Sequence, residues 1–492
     1  MKLAEGISHI AGVLCVINNT STGVLEIGDV VCRAVDGYSV TGVNTVTGVN
    51  TVTGIHCYIY SSVYILLYNI ILLYNIIYRL YIIHHKMDAV ALSGSPTQII
   101  NEFLSGLTIA LLLIPESIAF AFIMGLSPNT GIQNTMVMSL ITSLFGGMPT
   151  MISGSTAAVA TSIAGVSTLL GKEYIIPTVI AGGVIQILAA LTGLYKYVTY
   201  IPKYIMSGFL IALAGLIAVH QLDNFKDKDN QWLSGMKMVN TSIFTIISTL
   251  IAFFGVIKIT HSNDQHVHIP GGLVSMFAIT AFIYIFTQYY NIDRVKDTGA
   301  VNSELPSLIS IDGISQIKYD VTTIIKMLPF SVAMAFTGLL ESLIMVKDAE
   351  SVLHIKGDSF RESFVQGIAN IATGLTGGFG GCVLVGQSKL NLFNGAKTRF
   401  SSVITSVLFI VICLFFGRAI NEIPIAAVVG VMLLVVYKTG DWDSLLKPQS
   451  FDRRWIITLI TAIVGFVSGS LSLGVVVGMI LDKISSSSSF KY

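Results

Sequence analysis

The stretch Gly377–Asn391, read as GGFGGCVLVGQSKLN, constrains the fold most because its four glycines in five positions interrupt any helix. About a dozen residues remain between Gly381 and the polar run 394–399. At roughly 1.5 Å per residue, a helix of that length covers about half of a ~30 Å hydrocarbon core. A broken helix survives at membrane depth only where protein or a wet cavity covers its freed backbone groups, and its N–H end carries positive potential. We therefore predict a half-helix whose N-terminus suits an anion.

The composition places this half-helix in a membrane. Of the 492 residues, 53% are hydrophobic and 11% are charged, and the mean hydropathy is +0.77. A soluble domain carries about 25% charged residues, so most of this chain faces lipid or buried protein. We predict an integral, multi-pass membrane protein surrounded by lipid, with the plasma membrane as the default location. The formal net charge of +1 gives no indication of nucleic acid as a partner.

Hydrophobic segments joined by short polar connections fill the chain from Glu102 onward. The longest polar interruption, Asn291–Lys318, falls after the seventh segment and divides the array into seven plus seven. The fourteen predicted segments are 102–124, 131–146, 155–170, 175–194, 204–220, 241–260, 271–290, 322–346, 363–376, 382–393, 401–417, 423–437, 454–468 and 470–485.

The two halves of the array resemble each other. The runs LLLIPESIAF from Leu111 and FTGLLESLIM from Phe336 each place a Glu-Ser pair in the first helix of a half. In both halves a Gly-Gly pair follows, and after it comes a short apolar segment. These short segments are the third and the tenth of the array. Internal symmetry with broken helices at matching positions indicates a transporter whose site lies at the membrane midplane. Because each half has an odd number of spans, we predict an all-α inverted repeat in which two half-helices meet at the midplane from opposite sides.

Residues 1–86 differ from the rest of the chain. The six-residue unit TGVNTV occurs at Thr41 and Thr47, and exact short repeats of this kind are low-complexity sequence rather than a solenoid. The range 57–83 is apolar enough to form one extra membrane helix. The alternative is that the functional polypeptide starts at Met87, so that 87–492 is the transport domain and 1–86 is an extension outside it.

The starts of the two short segments form the candidate anion site. Before the first one, in GGMPTMISGSTAA from Gly146, Pro149 and Gly154 interrupt the backbone, and small residues leave room for a ligand to reach the amides. The alternative is a plain N-cap on a tightly packed helix. The pairing of two such starts favours the anion site. Its candidate residues are Ser155, Thr156, Ala157, Val383, Leu384, Val385 and Gln387.

Two glutamates lie inside apolar segments. Glu341 is surrounded in sequence by Met, Ala, Phe, Leu and Ile, and a charged carboxylate in lipid is costly. It must therefore face a cavity, hold a cation or be protonated. Glu116, which follows Pro115, invites the same argument. We predict that Glu341 and Glu116 couple transport to Na⁺ or H⁺, and Glu341 is a candidate ligand of Na⁺. The alternative for each glutamate is a structural hydrogen bond to a broken helix.

The sequence contains no pattern typical of catalysis. It has no Ser-His-Asp arrangement, no H-E-x-x-H and no Walker loop, so we predict neither an enzyme nor an ATP-driven pump, and no cofactor beyond a coupling ion. The five cysteines are scattered and show no metal-ligand spacing. They are predicted to be small buried residues.

Several motifs in order resemble the SulP anion permeases, also called solute carrier family 26. The likeness runs from about Glu102 to Ile484, and its motifs are IPESIAFAFIMGLSP at Ile114, GGMPTMISGSTAA at Gly146, TGLLESL at Thr337, VQGIANIATGLTGGFGG at Val365 and NGAKTR at Asn394. The resemblance implies a core bundle of segments 1–4 and 8–11 that moves against a gate bundle of segments 5–7 and 12–14 in an elevator-like step. It also implies a homodimer and an anion held between the third and tenth helix starts.

The chain departs from this family pattern at three points. Where the sodium-coupled bicarbonate carriers of the family have an Asp and, four residues on, a Thr as sodium ligands, this chain has Glu341 and Met345. Gln387 stands near the position at which several animal members carry an arginine, so the helix dipoles would supply most of the positive potential. Family members usually end in a cytoplasmic STAS domain, and this chain, which ends in SSSSSFKY, is expected to lack one.

The sequence therefore predicts a secondary transporter of sulfate or bicarbonate by alternating access. One alternative is a nucleobase permease of related fold, which would be expected to carry a carboxylate at the entrance of the tenth helix; Val383–Gln387 contains none. A second alternative is a non-transporting membrane scaffold or an anion channel. Backbone amides recognise charge more than identity, so this pattern does not rank the anions.

Overall fold

The computed structural model describes residues 96–198, 200–226, 231–255, 257–261, 265–269, 271–286, 289–308, 320–446 and 453–488. The N-terminal extension 1–86, its candidate helix 57–83 and the alternative start at Met87 lie outside the described residues, as do Cys15, Cys32 and Cys57.

Fourteen main helices occur in the described ranges, one for each predicted segment. They are α1 Pro96–Ile123, α2 Pro128–Phe145, α3 Ala157–Leu169, α4 Ile175–Thr192, α5 Lys203–Gln221, α6 Gly235–Phe254, α7 Gly271–Ile285, α8 Val321–Leu353, α9 Ser359–Leu375, α10 Val385–Phe393, α11 Arg399–Asn421, α12 Ile425–Thr439, α13 Arg453–Val467 and α14 Leu471–Ser488. Short helices at Tyr195–Val198, Val295–Thr298 and Trp442–Leu446 occupy connections. The third and tenth helices are short, as predicted, with 13 and 9 residues.

Six of these helices, α1, α4, α5, α6, α8 and α11, are long and apolar enough to cross a membrane. Helices α3, α7 and α12 are apolar but shorter. A helix of 9 to 13 residues at 1.5 Å per residue does not reach across a ~30 Å hydrocarbon core. The described chain therefore combines full spans with two half-helices.

Four strands accompany the helices. Strand β1 Ser153–Gly154 pairs antiparallel with β4 Cys382–Val383, and β2 Ile257–His261 pairs antiparallel with β3 Gln265–Ile269. Neither pair was predicted from the sequence. The predicted helical segment 241–260 was wrong at its end, because α6 stops at Phe254 and Gly255 follows as its C-cap. The next residues, IKITH, alternate β-branched and polar side chains, a pattern typical of a hairpin strand.

The helices pack in two groups. In the first, α4 contacts α8 and α9, α9 contacts α2, and α11 contacts α1; in the second, α13 contacts α5 and α14, and α6 contacts α7 and α12. Glycines bring α4 and α9 close together, because a Cβ atom on Gly183 would lie 2.7 Å from the carbonyl oxygen of Gly367, and the reverse distance is also 2.7 Å. Such close approach through small residues is the usual packing of membrane helices.

Candidate anion-binding site

The β1–β4 pair brings the starts of α3 and α10 together. Ser153 lies opposite Val383 and Gly154 opposite Cys382, and the Leu384 N–H donates to the Ile152 carbonyl at 2.8 Å. Because the strands are antiparallel and each leads directly into its helix, α3 and α10 leave the pair in opposite directions. The two helix N-termini therefore lie side by side, as the inverted repeat requires.

Only glycine fits at the closest approach of the two strands. A Cβ atom on Gly381 would lie 1.9 Å from the Gly154 carbonyl oxygen, far below any contact seen between real atoms. The glycine run that breaks the tenth helix thus also permits the strand pairing. The same residues produce the half-helix and place its start.

Two buried asparagines hold the glycine backbone from either side. The Asn134 side chain on α2 accepts from the Gly380 N–H at 2.9 Å and donates to the Gly380 carbonyl at 2.8 Å. The Asn370 side chain on α9 accepts from the Gly381 N–H at 2.8 Å and donates to its carbonyl at 3.1 Å. Helices α2 and α9 are the second helix of each half, so the internal symmetry extends to these anchors. Sequence reasoning did not select either asparagine, although each is an amide inside an apolar segment.

The start of α10 has more unpaired donors than the start of α3. At α3, Thr156 is the N-cap and its hydroxyl accepts from the Val159 N–H at 3.4 Å. At α10, Leu384 is the N-cap and supplies no side-chain hydrogen bond. The first amides of a helix have no acceptor inside the helix, so those of Val385 and Gly386 point out of the start of α10. Nothing lies within 4 Å of a Cβ atom built on Gly386.

A cavity of about 230 Å³ opens in front of the two helix starts. Most of the candidate residues line it, namely Thr156, Ala157, Leu384, Val385 and Gln387 together with Glu116 and Glu341. Ser155 and Val383 do not. The Ser155 hydroxyl is hydrogen-bonded to Asn134, Thr135 and Gly131, and Val383 is fully buried in a cluster with Met345. The Leu384 side chain lines the cavity, but its N–H already belongs to the strand pair.

Glu116 and Gln387 form one unit in the wall of the cavity. The Gln387 side-chain amide on α10 donates to Glu116 Oε1 on α1. Glu116 is 2% exposed, and its Oε2 atom has no hydrogen-bond partner among the residues that the structure describes. Two candidates that the sequence places 271 residues apart are therefore direct partners.

A chain of hydrogen bonds connects Glu341 to the start of α3. The Cys382 thiol donates to Glu341 Oε2 at 2.9 Å and lies 3.2 Å from the Thr156 hydroxyl. The prediction that the cysteines are small and buried is confirmed for Cys382 and Cys413. The sequence did not indicate that Cys382 also supplies a donor to Glu341, because nothing in the local pattern distinguishes it from an apolar neighbour.

The remaining cavity wall contains two lysines and an apolar surface. Lys389 lines the cavity and pairs with Asp348 at 2.9 Å, and Lys438, on α12, lines it as well. Sequence reasoning did not select Lys438. The side chains that α5 and α12 contribute are otherwise mostly apolar: Leu210, Leu213, Ile217, Val431, Leu434 and Val435.

Residues 99–462 match the Sulfate permease family. The chain belongs to the sulfate permease family. This match spans most of the helices, from α1 into α13, and includes both half-helices. The resemblance drawn from the motifs is thereby confirmed, and so is the prediction of a transporter rather than an enzyme.

Relatives of this permease agree in sequence and in fold. The YbaR protein of Bacillus subtilis (strain 168) is 31% identical over 387 residues, which are 78% of this chain and 76% of YbaR. The transmembrane domain of a cyanobacterium bicarbonate transporter, BicA, superimposes with a TM-score of 0.63 at 21% identity, covering 78% of this permease and 98% of that chain. Murine Slc26a9, described as an anion transporter in the inward-facing state, superimposes with a TM-score of 0.67 at 16% identity, covering 81% of this permease and 70% of the Slc26a9 chain. These likenesses confirm the multi-pass, seven-plus-seven inverted repeat.

Proposed function

We propose that this permease is a secondary transporter of a small inorganic anion, sulfate or hydrogencarbonate, which it moves by alternating access. The observation that carries the proposal is the pair of opposed half-helix starts that open on one cavity. Each start presents unpaired N–H groups and the positive end of a helix dipole. The family description names sulfate, and BicA is named a bicarbonate transporter.

In this proposal the anion lies against the start of α10. The amides of Val385 and Gly386 donate to it, and the positive end of α3, at Ala157, faces it from the other side. The open space at Gly386 lets an anion approach the backbone, which a larger side chain would prevent. Thr156 and Gln387 line the same space; Gln387 donates to Glu116, and the Thr156 hydroxyl lies beside the thiol that donates to Glu341.

The transport step is proposed to be an elevator movement of α1–α4 and α8–α11 against α5–α7 and α12–α14. Both half-helices belong to the first group, so the anion would travel with that group. The wall that α5 and α12 turn towards the cavity is mostly apolar. An apolar wall can slide past the site without breaking hydrogen bonds, since its contacts are non-directional.

A proton fits the surroundings of Glu341 better than Na⁺. Na⁺ is a hard cation that takes oxygen ligands, and soft sulfur ligands suit other metals. The nearest partner of Glu341 Oε2 is the Cys382 thiol, and Met345 is a buried thioether at the position where the resemblance places a threonine. We therefore propose H⁺ rather than Na⁺ as the coupling ion.

Uptake into proteoliposomes tests the proposed function. The wild-type protein should take up labelled sulfate or hydrogencarbonate with saturation, and an inward proton gradient should increase accumulation. Glu341→Gln should keep saturable binding but lose the response to the gradient, whereas Glu422→Gln, remote from the cavity, should retain it. Flux that rises linearly with anion concentration would instead identify a channel.

The resemblance also implies a homodimer, and the low-complexity character of 1–86 favours a transport domain that begins at Met87. Mass measurement in detergent should give twice the mass of one chain if the dimer forms. A chain beginning at Met87 should transport as the full chain does if 1–86 is an extension. Loss of uptake in the shorter chain would assign a role to those residues.

A further inference from the structure

One buried acceptor in the cavity wall is left without a hydrogen bond. Glu116 Oε1 accepts from Gln387, whereas Oε2 is buried and has no partner among the described residues. Buried polar atoms in native proteins are nearly always paired, so such an atom in the wall of a ligand cavity points to a ligand that supplies the partner. The terminal torsion of a glutamate is broad, and the Glu116 and Gln387 side chains both line the cavity, so the Gln387 amide can follow a rotation of the carboxylate that turns Oε2 towards the cavity.

The other charged groups that line the cavity are Glu341, Lys389 and Lys438, and Lys438 is close enough to Glu116 to interact with it electrostatically. Glu341, on α8, accepts from the Cys382 thiol, and Lys389, on α10, pairs with Asp348. Lys438, on α12, lines the cavity, and α5 contributes apolar side chains. Of these two carboxylates, Glu116 is the one with an oxygen that is both buried and without a hydrogen bond among the described residues.

A glutamate oxygen contacts an anion favourably only when a proton lies between the two oxygens, carried either by the glutamate or by the anion. Hydrogencarbonate carries such a proton at neutral pH, while sulfate, nitrate and chloride do not. The amides of Val385 and Gly386 would donate to the other oxygens of the same anion. The site would then present donors on one side and one acceptor on the other.

We propose that Glu116 makes the anion site selective for a hydrogen-bearing oxyanion, of which hydrogencarbonate is the chemical type, by accepting the proton of the substrate at Oε2. The inference rests on the proposed anion transport and adds the residue that would select between the anions named there. Gln387 acts as a positioning residue, because its amide occupies Oε1 and leaves Oε2 for the substrate.

Nitrate is the probe that tests whether the hydrogen of the substrate, and not its charge or shape, is recognised. It is planar and monovalent like hydrogencarbonate but has no hydrogen to donate. In proteoliposomes holding the full chain, uptake of labelled hydrogencarbonate is measured against increasing nitrate at one pH. In the wild type, nitrate should compete at least about tenfold less well than unlabelled hydrogencarbonate, since it leaves a buried acceptor unpaired.

The isosteric variant Glu116→Gln should reverse this preference. Its side-chain carbonyl can still accept from Gln387, and its amide places a donor where the carboxylate had an acceptor. Nitrate should then compete at least about tenfold better relative to hydrogencarbonate than in the wild type. Glu422→Gln is the control, because Glu422 pairs with Lys296 and does not line the cavity, and its ratio of competition by nitrate to competition by hydrogencarbonate should equal that of the wild type.

The outcomes separate the two proposals. If Glu116→Gln shows saturable uptake and nitrate competes relative to hydrogencarbonate as it does in the wild type, the selectivity inference is overturned and the proposed anion transport is not affected. Equal competition by nitrate and hydrogencarbonate in the wild type would overturn it as well, whether or not the variant folds. Absence of saturable uptake of any anion by the folded wild-type protein would overturn the proposed function and this inference with it.

Discussion

The two half-helix starts lie side by side but are built differently. At the start of α3, Thr156 caps the helix, its hydroxyl lies beside Cys382, and Ala157 and Ala158 are buried. At the start of α10, the cap residue supplies no side-chain hydrogen bond and Gly386 faces open space. Pseudo-symmetric halves have therefore produced one closed and one open helix start.

The difference assigns separate tasks to the two starts. The start of α3 is fixed by side chains and connects through Cys382 to Glu341, the carboxylate proposed to exchange a proton. The start of α10 keeps free amides and lies beside Glu116, the carboxylate proposed to contact the substrate. One N-terminus would then serve coupling and the other recognition, although both contribute positive potential to the same cavity.

The largest effect is expected where the two starts are joined. Gly381→Ala would place a methyl group 1.9 Å from the Gly154 carbonyl and separate β1 from β4. Overpacking of backbone against backbone should lower the free energy of unfolding by about 3 kcal/mol or more. Thermal unfolding in detergent measures this loss, and uptake should disappear with it. A stable, active Gly381→Ala protein would show that the strand pair is not needed to place the helix starts.

The next effect concerns the closed start. Cys382→Ala removes the donor to buried Glu341 Oε2 and should cost about 1–3 kcal/mol in unfolding free energy beyond the loss of packing. Cys413→Ala removes the same volume from another buried cysteine and serves as the control for packing. Equal destabilisation of the two variants, measured by thermal unfolding, would show that the hydrogen bond from Cys382 to Glu341 does not stabilise the protein.

The open start should respond in affinity rather than in stability. Gly386→Ala adds a methyl group in space where nothing lies within 4 Å, and alanine is the better helix former by about 1 kcal/mol. The folded protein should therefore be as stable as the wild type or slightly more so. The methyl group should weaken anion binding about tenfold, or about 1.4 kcal/mol, by covering the amides. If the anion concentration that gives half-maximal uptake does not change, the anion does not bind at the start of α10.

The smallest effect is expected from the cap of α3. Thr156→Ala should destabilise the protein by about 1 kcal/mol, because the first turn loses a side-chain acceptor. Thr156→Ser keeps the hydroxyl and should restore most of the stability. If anion affinity fell as far in Thr156→Ala as in Gly386→Ala, the two starts would contribute equally to recognition and the contrast between them would fail.

Much of the fold could be predicted from the sequence because hydropathy is a local property. The predicted segment 401–417 lies within α11, and 382–393 anticipates α10 with its short length. The strand β2 was missed because Ile257 and Ile259 come directly after the apolar segment of α6, and only Gly255 and the alternation with polar residues separate the strand from that helix.

The candidate site was predicted less completely. Thr156, Leu384 and Gln387 line the cavity, but Ser155 is turned away by its bonds to α2. The roles of Cys382 and Lys438 were also missed. A side chain's direction depends on the partners it finds, and for these residues the partners come from other helices.

The sequence by itself determined that the chain lies in a membrane, how many apolar segments it has, which two helices are interrupted, and that two carboxylates lie inside apolar segments. These follow from local composition, because lipid tolerates only helices whose backbone groups are paired. The tertiary structure alone decided which polar atoms meet. Gln387 and Glu116 are 271 residues apart and Cys382 and Thr156 are 226 apart, so only the packing of the helices brings them together. The same packing places Glu116, whose Oε2 has no partner among the described residues, in the wall of the cavity at the start of α10.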